Sequence, residues 1–482
     1  MRARSVQALA ALTALAAILR FSTLHVQSYW FDEAATVGLV KGSFGHMLSR
    51  IGGSESTPPL YYALAWVWSR LFGSAEVGLR SLSAVAGTAF VPVAYAAGAR
   101  LVSRRTAVVI AALATVNPLL IWYSQEARSY ALLLLLSGLS FLFFVGLLRE
   151  PRDRALVLWT LTSALALATH YFAAFLVAPE AGWLLLRSRD RRGPALAVAA
   201  LLAVGGALLP LLLRQRRLDL TSFITESTLG RRLAQVPKQF VVGYSSPAET
   251  AVTVIGALLV VFGLWLAYAR LVQRERRAAL TAATLGLSGV AVPLLLALAG
   301  ADYLDTRNLL GTWLPLMLVP AIGFGARHAG RSGIAAATTL CCLGLAVTAT
   351  VWANPAYQRD DVRALADALG PPKVARAIVL TPSSTSVPLA VYMHGLGGRQ
   401  LPVKEVDLVA LPRRSAVFSG AKPPPRAPNH PEFTPGMKLV EQRFPSTYTL
   451  IRFRSPAPVE LSPAFLRSLR LDPRPVAVLY QR

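Results

Sequence analysis

Ser28-Tyr29-Trp30-Phe31-Asp32-Glu33-Ala34 follows directly on an apolar run, residues 6–25, that is long enough to cross a bilayer. Asp32 and Glu33 are therefore adjacent carboxylates at a membrane face. Such groups are costly unless they face protein or water, which makes the pair a candidate functional site. Arg2 and Arg4 precede the run, and no small-x-small cleavage pattern with a soluble start follows it. We expect a retained first span rather than a signal peptide, with the acidic pair on the loop after it.

Further apolar runs lie at 79–99, 106–123, 130–148, 155–169, 171–187, 194–213, 250–270, 279–299, 308–326 and 332–352, giving about eleven expected spans. Of the 482 residues, 54% are hydrophobic and 15% charged, with a mean hydropathy of +0.49, which excludes an ordinary soluble enzyme of this size. Alternate short loops are basic. They hold Arg100, Arg104 and Arg105; Arg149, Arg152 and Arg154; Arg187, Arg189, Arg191 and Arg192; Arg270, Arg274, Arg276 and Arg277; and Arg327 with Arg331. All five belong on the cytoplasmic side with the N-terminus, and an odd number of spans carries the C-terminus outside. The net charge of +25, from 49 Lys and Arg against 24 Asp and Glu, thus reads as topology and contact with anionic membrane lipids, not as nucleic-acid binding. The excess of Arg over Lys suggests a GC-rich bacterial genome.

Two segments test that topology. Thr57-Pro58-Pro59-Leu60-Tyr61-Tyr62 through Trp66, Trp68 and Phe72 is apolar but short, and its Tyr and Trp content predicts a helix on the outer membrane surface. The expected outer loop 214–249 carries Arg214, Arg216, Arg217, Arg231, Arg232 and Lys238, suited to an anionic lipid ligand. Runs 155–169 and 171–187 have almost no linker and predict a tight hairpin or broken helix turning near His170. Cys341 and Cys342, adjacent inside an apolar run, are expected as small core residues, with neither disulfide nor metal spacing.

From about residue 353 the composition changes. Short β-like runs appear at 377–380, 448–451 and 476–480, 358–369 reads as a helix, and prolines cluster at Pro423-Pro424-Pro425, Pro428 and Pro431. His394-Gly395-Leu396-Gly397-Gly398 is a loop without the strand and helix flanks of a phosphate cradle. The expected organisation is a transmembrane domain, 1–352, whose first outer loop, 26–78, carries juxtamembrane helices, and a small α/β extracytoplasmic domain, 353–482.

Several polar groups fall at expected outer helix ends. In Gln125-Glu126-Ala127-Arg128, Glu126 and Arg128 are two apart and would point to different faces of a helix. The planar fork of Arg128 suits a lipid phosphate, and a structural tie to the outer loop is the alternative. Arg307, in Asp302-Tyr303-Leu304-Asp305-Thr306-Arg307-Asn308, is placed for a leaving phosphate or for snorkelling. His170 is a lone histidine, more commonly a satisfied buried ring than a ligand. Asp32 before Glu33-Ala34-Ala35-Thr36 also suits a helix start. No His/Cys/Asp cluster has metal-ligand spacing and the first loop has no Asp-x-Asp, so no metal and no cofactor are expected.

In order along the chain stand an N-terminal span, Trp30-x-Asp32-Glu33, Pro58-Pro59-Leu60-Tyr61-Tyr62, Trp122-Tyr123-Ser124-Gln125-Glu126-Ala127-Arg128-Ser129-Tyr130-Ala131-Leu132, His170-Tyr171-Phe172, and an Arg307 turn before a Leu/Pro-rich span. This order resembles the GT-C glycosyltransferases that use polyprenyl-phosphate sugars, in particular the protein O-mannosyltransferase-like and Rgt-like branch, over roughly residues 5–355. The family commonly has Arg-Tyr where this chain has Arg307-Asn308. The resemblance implies an all-α polytopic GT-C membrane protein. It would move a hexosyl or pentosyl group from a polyprenyl-phosphate donor to a hydroxyl of an envelope glycan, lipid or protein on the outer face, with inversion. Glycosyl transfer to a hydroxyl needs a base for the acceptor proton and stabilisation of the anionic leaving group. The implied base is Asp32, with Glu33 orienting the acceptor. Arg128 and Arg307 would hold the donor phosphate, and Glu126, His170, Tyr171 and Tyr61 would line the substrate cavity. Asp32, Glu126, Arg128, His170 and Arg307 are expected to share one site, with the C-terminal domain over its mouth.

A transporter or flippase of lipid-linked sugars is the competing reading. It predicts paired Gly/Pro-broken spans and repeat symmetry, and the sequence has no internal repeat of fixed period. A non-catalytic scaffold for wall assembly leaves the acidic pair and the outer arginines without a purpose.

Overall fold

The computed structural model describes residues 2–413 and 436–482, so the proline cluster at 423–431 lies outside the described residues. The helices up to the first long loops are α1 (Arg2–Phe21), α2 (Phe31–Lys41), α3 (Phe44–Ser54), α4 (Leu60–Phe72), α5 (Glu76–Leu101), α6 (Arg104–Val116), α7 (Pro118–Ser124) and α8 (Tyr130–Arg149). There follow α9 (Asp153–Thr169), α10 (Ala174–Arg187), α11 (Arg192–Arg216), α12 (Leu229–Val242), α13 (Glu249–Ala269), α14 (Gln273–Leu298), α15 (Trp313–Gly325) and α16 (Gly330–Ala353). Helices stand at all eleven places where spans are expected. Among the described residues seven helical stretches are long and apolar enough to cross a membrane, and eight if α6 and α7, bent by 58°, count as one broken span. The expected count of eleven is not reached on length. The apolar part of α1 is the short stretch Ser5–Phe21, and α9 and α10 have 17 and 14 residues.

Contacts divide the chain into two units: 1–24 with 39–349, and 25–38 with 350–482. The acidic segment, expected within the outer loop 26–78 of the membrane domain, is thus grouped with the C-terminal residues.

The first unit is a helical bundle. Its centre is α8 and α15, around which α5, α6, α9, α13 and α14 pack, with Phe90, Phe141, Phe144, Trp159 and Trp313 fully buried. With lipid outside instead of water, close backbone approach and buried polar contacts replace a hydrophobic drive. A Cβ on Gly323 of α15 would meet the Gly263 carbonyl oxygen of α13 at 1.9 Å, so only glycine allows that crossing. Glu180 of α10 is fully buried and accepts from Ser140 Oγ at 2.5 Å and Trp159 Nε1 at 2.9 Å, tying α8, α9 and α10 together. The outer ring is apolar and exposed: Leu196 and Leu202 on α11, Leu258 and Val261 on α13, Leu287 and Leu295 on α14. Exposed apolar surface of this extent is what a bilayer covers. α4, 13 residues long, is too short to span, as its surface reading requires. Cys342 is exposed on α16, which corrects its reading as a core residue, while Cys341 is partly buried and packs against the bundle core. Neighbours on a helix point about 100° apart, so one of the pair meets the core and the other does not.

The second unit carries α17 (Val362–Leu369), α18 (Ser386–Tyr392) and α19 (Pro463–Ser468) around a five-stranded sheet of β1 (Arg376–Thr381), β2 (Val403–Ala410), β3 (Lys438–Arg443), β4 (Thr449–Val459) and β5 (Ala477–Gln481). The strand order is β3-β4-β2-β1-β5, with β1 and β2 parallel and the other pairs antiparallel. Ile378 and Leu380 of β1 pack with Leu365, Leu369 and Leu389, while Ala377 and Val379 pack with Leu408, Phe453 and Leu466. Alternate side chains thus serve two cores, which is why the run is apolar without alternation. Gly397 pairs with Tyr480 across an isolated bridge, so the His394–Gly398 loop serves the sheet.

Candidate active site

Of the expected residues, Glu126, Arg128, His170, Tyr171 and Arg307 lie between α-helices, while Tyr61 stands on α4 and Asp32 and Glu33 on α2. Asn117 caps α7, its side-chain oxygen accepting from Leu120 N–H, and Pro118 takes the first helical position, where no N–H is needed. α7 ends after two turns. Residues 125–129 then run as an irregular, wholly buried turn into α8. The Gln125 side-chain amide donates to the Leu19 and Arg20 carbonyls and to Thr23 Oγ1 (2.6 Å), which pins this turn to the end of α1. Glu126 and Arg128 therefore lie on a turn, not on a helix face.

Arg128, 4% exposed, donates to Glu55 at 2.8 Å. The same Glu55 oxygen accepts from the Tyr62 hydroxyl at 2.6 Å, and Tyr62 lies within 2.9 Å of Thr57 Oγ1. Burial holds the Tyr62 hydroxyl well above its ordinary range against the pull of Arg128, and Glu55 adds to the rise, so the phenol keeps its proton and donates it. Tyr61, its neighbour on α4, reaches Ser83, whose hydroxyl donates to the Arg128 carbonyl. The tie between Arg128 and the loop before α4 is real. Glu55 was not singled out from the sequence, although it stands just ahead of the Pro58-Pro59-Leu60-Tyr61-Tyr62 motif.

His170 ends α9 and caps the short turn into α10, its Nδ1 accepting from Phe172 N–H at 3.3 Å. It is 2% exposed, and burial, then Arg128 and Arg307, push it down to about 3. The ring is therefore neutral at physiological pH and does not act as an acid there. Arg307 follows Asp305, whose carboxylate accepts from Arg307 N–H and lies 3.6 Å from its guanidinium. Asn308, standing where the resemblance predicts Tyr, donates to the Tyr303 carbonyl and holds that turn. Rings link the same helix ends: Tyr123 to Tyr130 at 4.8 Å, Tyr130 to His170 at 5.7 Å, His170 to Phe172 at 5.1 Å and Phe172 to Tyr303 at 5.5 Å. Tyr171 donates to Gln215 at 2.8 Å, and Gln215 in turn donates to the Ile51 and Thr57 carbonyls. Within the bundle, Tyr61, Glu126, Arg128, His170, Tyr171 and Arg307 are thus organised around shared turns.

Asp32 and Glu33 belong to the other unit. Both lie in the first turn of α2, Asp32 partly exposed and Glu33 fully buried. Carboxylates there complement the positive end of the helix dipole. Glu33 is 3.4 Å from Arg359, whose guanidinium stacks 4.4 Å from the centre of the Trp30 ring. Ser28 Oγ donates to the Asp360 carbonyl and accepts from Val362 N–H, and Tyr29 N–H donates to the Tyr392 hydroxyl at 2.6 Å. Arg363 donates to the His25 carbonyl. The acidic turn is therefore stitched to residues 359–363 and to Tyr392. Among the described residues no group of three or more His, Cys, Asp or Glu is arranged to hold a metal.

Residues 56–212 match the model of the family described as Dolichyl-phosphate-mannose-protein mannosyltransferase. No curated protein matches the sequence. Among solved structures, the chain is similar to ArnT from Cupriavidus metallidurans in the apo state, at 14% identity over 68% of this chain and 61% of that one, with a TM-score of 0.48. It is also similar to the Archaeoglobus fulgidus oligosaccharyltransferase in the apo form (13%, 76% and 57%, 0.46) and to arabinofuranosyltransferase AftD from Mycobacteria (14%, 92% and 41%, 0.46). The chain spans about three fifths of the ArnT length. The resemblance to GT-C, polyprenyl-phosphate-dependent glycosyltransferases that the motifs carry is found again over residues 56–212, which hold Tyr61, Glu126, Arg128, His170 and Tyr171.

Proposed function

We propose that this protein is a multi-pass membrane glycosyltransferase that takes a sugar from a polyprenyl-phosphate donor and transfers it to a hydroxyl acceptor on the outer face. The observation that carries the reading is that the buried turn of Arg128 and the turn of Arg307, far apart in sequence, are joined through the rings of Tyr130, His170, Phe172 and Tyr303. Fixed cations at a helix-end site stabilise the charge that appears on a leaving phosphate. Arg128 is aimed by its pair with Glu55, and Arg307 by its turn at Asp305 and Asn308.

In this reading the acceptor hydroxyl attacks the anomeric carbon as the carbon–oxygen bond to the phosphate breaks. The bonding electrons leave with the polyprenyl phosphate, which the two arginines receive. Asp32 takes the hydroxyl proton, and attack opposite the leaving group inverts the anomeric centre. Glu33, held by Arg359, orients the turn. The N-terminus is cytoplasmic and the C-terminal domain extracytoplasmic, following the five basic loops. The acceptor is an envelope glycan, lipid or protein. Incubating the purified protein with candidate polyprenyl-phosphate sugars, and reading release of polyprenyl phosphate together with the sugar transferred, tests the proposal. Movement of intact donor across a vesicle without release would replace the transferase with a flippase.

A further inference from the structure

Arg20 lies near the end of α1, inside an apolar helix, and is 0% exposed. A snorkelling arginine reaches water, and this one does not. No carboxylate pairs with it among the described residues. Its donors go to carbonyls and a hydroxyl: Nη2 to the Ala114 oxygen at 2.9 Å, Nη1 to Thr115 O at 3.0 Å and Ala16 O at 3.3 Å, and Nε to Ser124 Oγ at 3.1 Å. Ala114 is four residues before Pro118. In an unbroken helix the N–H of residue 118 would bond that carbonyl, and proline has none. Thr115 is one of the last residues of α6, where terminal carbonyls lack helical partners and carry the negative end of the dipole. Arg20 thus supplies the donor that Pro118 withholds, and α6 supplies the negative charge that a buried guanidinium needs. The hydroxyl of Ser124 then couples the same guanidinium to the last residue of α7. Gly87 of α5 completes the fit: a Cβ there would fall 2.0 Å from Ser124 Oγ and 3.2 Å from Arg20 Nε.

We infer that Arg20 is a positioning residue: it locks the 58° break between α6 and α7 and thereby sets the turn 125–129 that carries Arg128. The inference rests on the proposed function only for what that turn binds. It is tested on the full-length protein in nanodiscs, by amide hydrogen exchange and by binding of undecaprenyl phosphate.

Arg20→Met should speed exchange over residues 119–129 at least tenfold, with the rest of the bundle unchanged, and weaken undecaprenyl phosphate binding roughly tenfold. Adding Pro118→Ala to Arg20→Met returns an N–H to Ala114 O, so the double variant should regain its melting temperature. It should not regain binding, because the restored bond runs the helix straight through residue 117. Recovery of binding along with stability would make Arg20 merely structural and overturn the inference. So would unchanged exchange over 119–129 in Arg20→Met. Should that variant fail to fold, Arg20→Lys keeps the charge without the fork, and wild-type exchange in it would equally sink the lock. A wild-type protein that binds no undecaprenyl phosphate refutes the phosphate site, while exchange alone still judges the lock.

Discussion

The acidic turn 28–33 and the basic turn 125–129 are both short irregular segments at helix ends, and they are held by opposite means. All five residues of the basic turn are buried, pinned by Gln125 to α1 and by Arg128 to Glu55. The acidic turn has Phe31 exposed and Asp32 partly exposed, and its anchors are Arg359, Asp360, Val362 and Tyr392 of the C-terminal region. One half of the proposed chemistry rests on a packed helical bundle, the other on a unit whose sheet the chain reaches only after its last long helix. The C-terminal residues thus hold the turn that carries the proposed base. The two halves are open to separate perturbation.

Asp32→Asn tests the acidic half most directly. Asn keeps the size and loses the proton acceptor, so turnover should fall by about 10²–10⁴ with donor binding intact. Near-normal transfer by this variant would remove Asp32 from the mechanism and turn attention to Glu33. On the basic side, Glu55→Ala takes away the carboxylate to which both Arg128 and Tyr62 donate. Breaking a buried ion pair from one side costs about 3–5 kcal/mol, so thermal unfolding of the bundle should drop sharply. An unchanged melting temperature would mean that the basic turn is not held as tightly as its burial implies.

How much of this was legible follows the same division. The helix positions were readable because membrane spans announce themselves by length and apolarity, and the basic loops mark their ends. α9 and α10 read as spans because the hairpin at His170 is apolar on both sides, although each helix is short. Arg128, His170 and Arg307 stood out as polar residues at apolar run ends. Glu55 did not, since it lies in a polar loop, and only its burial against Arg128 and Tyr62 distinguishes it. Arg359 was silent for another reason: its partner Glu33 is more than three hundred residues away, and no local pattern records such a pair. In the C-terminal sheet β1, β4 and β5 were readable as apolar runs. β2 was not, because Glu405 and Asp407 interrupt it. Both carboxylates are buried there against Arg376, Arg452 and Arg454 from other strands. β3, a polar edge strand, has no hydrophobic pattern to read.

The pH dependence of stability sharpens the account of the basic half. His170 is pushed down to about 3 when folded, against an ordinary value near 6.5. Between these two values the unfolded chain binds the extra proton, so stability rises with pH across that window and is lost as pH falls below about 6.5. At pH 5 the loss attributable to this ring is about 2 kcal/mol. His170→Gln, which has no titrating proton, should unfold with a flatter acid profile than wild type. Parallel profiles for the two proteins would show that burial does not hold His170 neutral.

The smallest expected effect is the one that most directly tests the reliance of the acidic turn on the C-terminal residues. Arg359 makes a 3.4 Å contact to fully buried Glu33 and lies over Trp30. Arg359→Leu leaves the turn bonded through Ser28 and Tyr29 but removes a charged contact to the residue next to Asp32. Misplacing a base by a fraction of an ångström without removing it lowers the rate by about tenfold, well short of losing the carboxylate itself. Turnover should therefore fall about tenfold at saturating donor, with undecaprenyl phosphate binding unchanged because Arg128 and Arg307 are untouched. Arg359→Lys restores a cation without the planar face that stacks on Trp30, so it should recover part of the rate. Full activity in Arg359→Leu would mean that the backbone bonds of Ser28 and Tyr29 suffice to place Asp32. A loss of donor binding equal to the loss of rate would mean that the two halves are not separable as argued.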